Sequence, residues 1–391
     1  MKDNISNPDR SIIPVIQEYE VYKKLCKSKK PNSSVFEAIV EPYLDPCQFG
    51  IKGASITHYL LRLLKFIHEH LDLKNPHAVV VATIDLSKAF NRVSHQMVLE
   101  DLYNMHVPTW LLLIIASYLT NRTMILTYNG ATASPRNLPG SSPQGAFLGI
   151  FLFIVKYNGA ALRPKIPRLA LEVDQCRQSR RNCKDCSCKK HTKDTHVLYM
   201  DDLSEAEAVD LRKELIWDPI QIPYPLKYHE RTHHVLPKGS ILQKNLTKIE
   251  NFTLSNMMKI NNSKSKVMIF NKSKKYDFQS EFSFSNGENL ECIEKTKLLG
   301  IILSSDLSWG LNTKAIVKKA MSKMWLIRRL KSVKLDSKTI LDYHCKEVRP
   351  LNTEHGVAIW NSALTRSQTL ELGKIQNKLG LSWAKLSSSW N

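Results

Sequence analysis

His196-Val197-Leu198-Tyr199-Met200-Asp201-Asp202 is the stretch on which the fold turns. Its first four residues read as a strand. Side chains on a regular strand alternate between faces, so two neighbouring aspartates can aim at one site only from a tight hairpin turn. A matching acid stands far upstream. Residues 79–86 read Val-Val-Val-Ala-Thr-Ile-Asp-Leu, a β-branched run that gives way to Ser87-Lys88-Ala89-Phe90, which places Asp85 where a buried strand passes into a turn or helix. Carboxylate oxygens around one gap suit magnesium, and paired magnesium ions clamp the attacking and leaving oxygens in phosphoryl and nucleotidyl transfer. Taken alone, an Asp-Asp dipeptide is more often solvated turn chemistry, so the reading rests on what lies between and after these acids.

Between them, Leu138-Pro139-Gly140-Ser141-Ser142-Pro143-Gln144-Gly145-Ala146-Phe147-Leu148-Gly149 is a Pro/Gly-rich turn leading into an apolar run that ends at Val155. It reads as a loop feeding a buried helix. Gly145 lets backbone approach a ligand closely, and Gln144 offers an amide donor and acceptor at the loop-to-helix junction. After the acidic pair come Asn261-Asn262-Ser263-Lys264-Ser265-Lys266, ahead of the strand-like Val267-Met268-Ile269-Phe270, and then Lys297-Leu298-Leu299-Gly300-Ile301-Ile302. Each segment is weak by itself; their order is not.

This order resembles the reverse transcriptases of non-LTR (LINE-type) retrotransposons, from about Asp45 to the region of Gln376. Asp85 with Ala89-Phe90 looks like the first palm motif, Ser142-Pro143-Gln144-Gly145 with Leu148-Gly149 like the second, and Tyr199-Met200-Asp201-Asp202 like the third. Asn261 to Lys266 is similar to the fourth and Lys297 to Ile301 to the fifth, the primer-grip hairpin. Gln48-Phe49-Gly50 with Lys52-Gly53 and Ser55 resembles the fingers segment, and His355-Gly356-Val357-Ala358-Ile359-Trp360 with Leu364-Thr365 the thumb. The resemblance implies an α+β right-hand polymerase core with a ferredoxin-like palm, partial fingers and a helical thumb. The expected division is 1–78 for the partial fingers, 79–303 for the palm and 304–391 for the thumb. Two insertions interrupt the palm, at about 164–196 and 217–240.

The resemblance also implies roles. The function would be RNA-directed DNA polymerisation, extending a DNA primer on an RNA template with dNTPs. Asp85, Asp201 and Asp202 would hold two magnesium ions, and Lys264 would be the cation near the leaving pyrophosphate. Phe90 would crowd the sugar 2′ position, whereas a core aromatic is the plain alternative for it. Gln144 and Gly145 would line the nascent base pair and Lys52 would face the incoming triphosphate. Asn91 stands where many relatives have Asp, Tyr199-Met200 replace the common Phe-Ala, and Lys52 and Ala54 stand where many relatives place arginines. Residues 1–40 hold only a fragment resembling the fingers, and no endonuclease domain precedes it, as expected of a partial open reading frame. A catalytically inactive, transposon-derived nucleic-acid-binding remnant is therefore the alternative. An RNA-templated RNA polymerase would share the carboxylates but not the bulky ring at Phe90.

Composition agrees with a polyanionic partner. The chain has 391 residues and a formal net charge of +20, and cations that neutralise phosphates release counterions. Its apolar runs, Trp110 to Leu119 and Ala146 to Val155, are each about half of the roughly 20 residues that span a bilayer. No signal peptide begins at Met1, so the expected location is cytoplasmic or nuclear rather than secreted, with no membrane partner. A stripe of Val317, Ala320, Met324 and Ile327 among Lys314, Lys318, Lys319, Lys323, Arg328 and Arg329 predicts a basic amphipathic helix. Residues 55–71, with Leu60, Leu61, Leu63, Leu64 and Ile67, predict a helix behind the fingers. In the first insertion, Cys183, Cys186, Cys188 and His191 could hold zinc, with Cys176 as a substitute. A charged loop with incidental thiols is the alternative, since the spacing matches no standard finger. The second insertion, rich in proline and histidine, reads as an exposed loop.

Overall fold

A β-branched run needs cover on both faces, and Val79, Val80 and Val81 find it in the central strand of a five-stranded sheet. The computed structural model describes residues 36, 39–74, 77–138, 140–142, 147–158, 194–211, 233–235, 240–272, 277–279, 282–348, 350 and 355–378. In chain order the main strands are β1 (His77–Ile84), β2 (Asp194–Tyr199), β3 (Asp202–Asp210), β4 (Lys266–Asn271), β5 (Glu291–Cys292), β6 (Lys295–Leu298) and β7 (Ile301–Ser304). The helices are α1 (Ile56–Leu71), α2 (His95–Asn104), α3 (Thr109–Leu119), α4 (Phe147–Tyr157), α5 (Ile241–Ser255), α6 (Gly310–Ser332), α7 (Ser337–Tyr343), α8 (Val357–Trp360) and α9 (Arg366–Lys378). The sheet order is β5-β4-β1-β3-β2; β1 is antiparallel to β3 and β4, β2 is antiparallel to β3, and β5 runs parallel to β4. Strand, helices, hairpin, helix and strand in that order, with β4-β1-β3-β2 in space, form the ferredoxin-like α+β palm expected from the sequence.

The described residues fall into two compact units, one drawn from Met1–Pro46, Leu86–Asp185 and Asn251–Lys259, the other from Cys47–Asp85, Cys186–Glu250 and Ile260–Asn391. The sheet belongs wholly to the second. There α1 lays Tyr59, Leu63 and Ile67 into one cluster with Val79, Val81, Ala206, Ala208, Met268 and Phe270. The helix predicted to lie behind the fingers is thus docked on the sheet, where the small Ala206 and Ala208 leave room for its larger side chains. Leu61, counted in its apolar spacing, is 42% exposed, because it stands about 100° around the helix from the buried Leu60. The buried Tyr59 hydroxyl donates to Ser204 Oγ at 2.6 Å, and burial pushes its pKa up, so it stays a protonated donor.

Glu205 and Glu207 alternate with Ala206 and Ala208 and therefore lie on the other face of β3. Burying an acid there requires partners. The Glu207 carboxylate accepts the Ile241 and Leu242 N–H groups at 3.0 and 2.9 Å, satisfying donors that the start of α5 leaves unpaired and placing a negative charge at its positive end. Asn245 Nδ2 donates to Glu205 Oε2 at 3.2 Å one turn further along.

Farther along this unit, β6 and β7 make the hairpin expected of the fifth motif. Its two-residue turn, Leu299-Gly300, has both residues at positive φ, 47° and 89°, as a type I′ turn requires. His355 contacts the Leu299 carbonyl at 3.0 Å, and Trp360, 1% exposed, joins the α1–sheet core. The segment resembling the thumb begins, then, as part of the palm's packing. The predicted basic helix is α6, whose Ala320, Met324 and Ile327 bury against Ile340 and Val348 while Lys314, Lys318, Lys319, Arg328 and Arg329 are exposed.

In the first unit, α3 contains the apolar run Trp110 to Leu119 and α4 the described part of the other, Phe147 to Val155, and no described helix is long and apolar enough to cross a membrane. Lys156 of α4 is buried and paired with Asp101 of α2 at 2.9 Å. Of the second insertion, His233–Val235 is a short strand paired in parallel with Asp277–Gln279, where the sequence reading expected loop; its other histidine, His229, lies outside the described residues. Cys176, Cys183, Cys186, Cys188 and His191 also lie outside them.

Candidate active site

Strand register brings the three aspartates together. In the β1–β3 ladder Ile84 stands opposite Leu203, so one further step of the same antiparallel register sets Asp85 against Asp202. In the β2–β3 ladder Tyr199 pairs with Asp202, leaving Met200 and Asp201 as the two turn residues. This is the tight hairpin that adjacent carboxylates need in order to share a site. Met200 takes a φ of 55°, a left-handed conformation that costs a non-glycine residue about 1–3 kcal/mol unless its surroundings hold it.

The turn at Asn261–Ser265 fixes Asp85 from behind. Asp85 N–H donates to Ser265 Oγ at 3.1 Å, the Ser265 hydroxyl donates to the Asn261 carbonyl at 2.9 Å, and Asn261 N–H donates to the Asp85 carbonyl at 2.8 Å. Ser265 is fully buried. That turn also brings Lys264 Nζ within 3.8 Å of Asp85 Oδ2. With 69% of the Lys264 side chain exposed, such a pair adds little stability. What it supplies is a cation at the rim of an acidic cluster.

Electrostatically the cluster is short of positive charge. Burial raises the Asp201 pKa and the Asp85 charge raises it further, against a backbone hydrogen bond and Lys264, which lower it. Burial, then Asp201, then Asp85 push Asp202 up to about 6. Asp85 Oδ2 is itself buried and accepts no hydrogen bond among the described residues. A carboxylate oxygen withdrawn from water, with no hydrogen bond among the described residues and an exposed ammonium 3.8 Å away, beside two acids that ionise reluctantly, fits a divalent cation.

Asp85, Asp201, Asp202 and Lys264 are thus gathered at one end of the sheet. Lys52 is exposed in the turn closed by Ala54 N–H to the Ile51 carbonyl at 3.1 Å, and among the described residues no hydrogen bond or ion pair joins it to the carboxylates. Phe90 belongs to the first unit, on the short helix Ala89–Arg92, and its ring stacks on Phe153 at 4.5 Å. Its carbonyl accepts from Ser142 N–H at 2.6 Å, so the start of the second motif is strapped to the Phe90 backbone. Gln144 and Gly145 lie outside the described residues. Ser265 was not singled out from the sequence, where it is one small polar residue between two lysines.

Residues 26–303 match the protein family described as reverse transcriptase (RNA-dependent DNA polymerase). The chain belongs to the reverse transcriptase family. No curated protein matches this reverse transcriptase. Solved structures similar to it include the apo telomerase of Candida tropicalis truncated from its C-terminal domain, at 11% identity over 75% of this chain and 47% of that one, with a TM-score of 0.41. Another is the telomerase of Candida albicans in complex with the TWJ fragment of telomeric RNA, at 11% identity over 92% of this chain and 55% of that one, also with a TM-score of 0.41. The reverse transcriptase chain thus spans about half the length of these telomerases.

Proposed function

We propose that this chain is an RNA-directed DNA polymerase of the non-LTR retrotransposon type, extending a DNA primer on an RNA template with dNTPs in the nucleus or cytoplasm. The observation that carries the reading is the meeting of Asp85, Asp201 and Asp202 at one sheet end, in a chain of this family. Asp85 and Asp201, with Asp202, would hold magnesium, which when bound supplies the positive charge that stabilises the pentacoordinate phosphate. The chain's own part is largely positioning. The Asn261–Ser265 turn fixes the Asp85 backbone and the hairpin presents Asp201, and Lys264, 3.8 Å from Asp85 Oδ2, would offer its ammonium to the negative charge growing on the leaving pyrophosphate. Phe90 would select the sugar, with Gln144, Gly145 and Lys52 contacting the nascent pair and the incoming nucleotide. Zinc on Cys183, Cys186, Cys188 and His191 belongs to the same proposal as a clamp for the first insertion.

The test is primer extension on a homopolymeric RNA template. Wild-type chain should add dNTPs in a magnesium-dependent reaction. Asp201→Asn, which removes a ligand charge without changing volume, should lower the rate by at least about a thousandfold while leaving circular dichroism and RNA affinity intact. A wild-type chain that binds template-primer yet never extends it would be the inactive remnant instead.

A further inference from the structure

Gln48 is 1% exposed, and its side chain spans from the loop ahead of α1 to the hairpin that carries the acids. Resting on the polymerase reading above, we propose that Gln48 is a positioning residue, whose side-chain carbonyl holds Met200 and thereby aims the carboxylates of Asp201 and Asp202. Three observations support this. First, the backbone of 47–49 runs beside β2: Leu198 N–H donates to the Cys47 carbonyl at 2.9 Å and Phe49 N–H to the Leu198 carbonyl at 2.8 Å. Gln48 is thereby fixed against the strand one residue before Tyr199. Second, Gln48 Oε1 accepts from Gly50 N–H at 2.8 Å and from Met200 N–H at 3.1 Å. The second of these bonds falls on the turn residue with the left-handed φ of 55°. Third, the loop comes so near that a Cβ on Gly50 would lie 2.9 Å from both the Met200 nitrogen and its Cγ. Only glycine permits that approach.

Packing alone does not account for the residue. Gln48 Nε2 is buried with no hydrogen-bond partner among the described residues, and an unpaired buried donor is costly. A leucine or methionine would fill the same space without it. Turning the amide over would set its NH2 against two N–H donors, so the observed orientation is the one that pairs. The contribution of Gln48 is therefore its carbonyl, as an acceptor for the turn.

Two variants of the full chain separate this from simple destabilisation: Gln48→Met, which keeps the volume and removes the acceptor, and Gln48→Glu, which keeps an acceptor. Gln48→Met should lower kcat by about a hundredfold, the scale of an ångström-size misplacement, with dNTP KM and template-primer Kd unchanged. Gln48→Glu should recover most of that loss. Deuterium uptake in a peptide covering the hairpin, measured by mass spectrometry, should speed by about tenfold or more at the Met200 amide in Gln48→Met and stay slow in Gln48→Glu. Gly50→Ala, which pushes the loop off the turn, should follow Gln48→Met in both readings. A folded Gln48→Met chain with wild-type kcat overturns the proposal, as do equal losses in Met and Glu variants or unchanged amide exchange. If the wild-type chain does not extend primers, the polymerase reading fails by itself, and the exchange measurement alone decides whether Gln48 holds the turn.

Discussion

Replacing Asp202 by Asn should make the metal-free protein more stable while destroying its activity. Burial first, then the charges of Asp201 and Asp85, raise the Asp202 pKa from its ordinary 3.8 to about 6. A carboxylate whose folded pKa exceeds its unfolded one gains affinity for a proton on folding. Its contribution is therefore most favourable below 3.8 and is lost as pH rises through about 6. At about 1.4 kcal/mol per pH unit, a rise of roughly two units costs about 3 kcal/mol at pH 8; the carboxylate's partial contact with water reduces the expected effect to about 2 kcal/mol. Asn keeps the volume and has no charge to desolvate. Urea unfolding at pH 8 in EDTA, followed by tryptophan fluorescence, should therefore show Asp202→Asn about 2 kcal/mol more stable than wild type. The gain should fall to about half by pH 5 and mostly vanish by about pH 4. Added magnesium should stabilise wild type more than the variant, because it binds a folded site that the variant has weakened. Equal stability of the two proteins at pH 8, or a gain that does not change with pH, would refute the charge-crowding argument.

Two other expectations bear on the first unit. Phe90→Ala should raise ribonucleotide over deoxynucleotide incorporation by about tenfold or more in parallel extension assays, and an unchanged ratio would leave Phe90 as a core ring stacked on Phe153. Asp101→Ala leaves the Lys156 ammonium buried without its 2.9 Å partner, which should cost about 3 kcal/mol in denaturant unfolding. Adding Lys156→Met should return most of it, and a single-variant cost below about 1 kcal/mol would mean that the lysine finds water.

Sequence by itself determined the parts of this protein whose physics is local. Adjacent acids that must share a site need a hairpin turn, and the turn at Met200-Asp201 is there. A β-branched run ending in Asp85 becomes a central strand with the acid at its tip, and apolar spacing predicts α1 and α6. Period and turn chemistry act within a few residues, so they can be read along the chain. Tertiary structure decided what covers each apolar face and what holds each acid. The spacing of α1 announces a buried side but not that the small residues of β3 would receive it, and it does not separate Leu61 from Leu60. Ser265 reaches Asp85 across 180 positions and Gln48 reaches Met200 across 152. Such bonds depend on which strands pair and in what register, a choice made by burying the whole sheet at once, so no short window of sequence contains them.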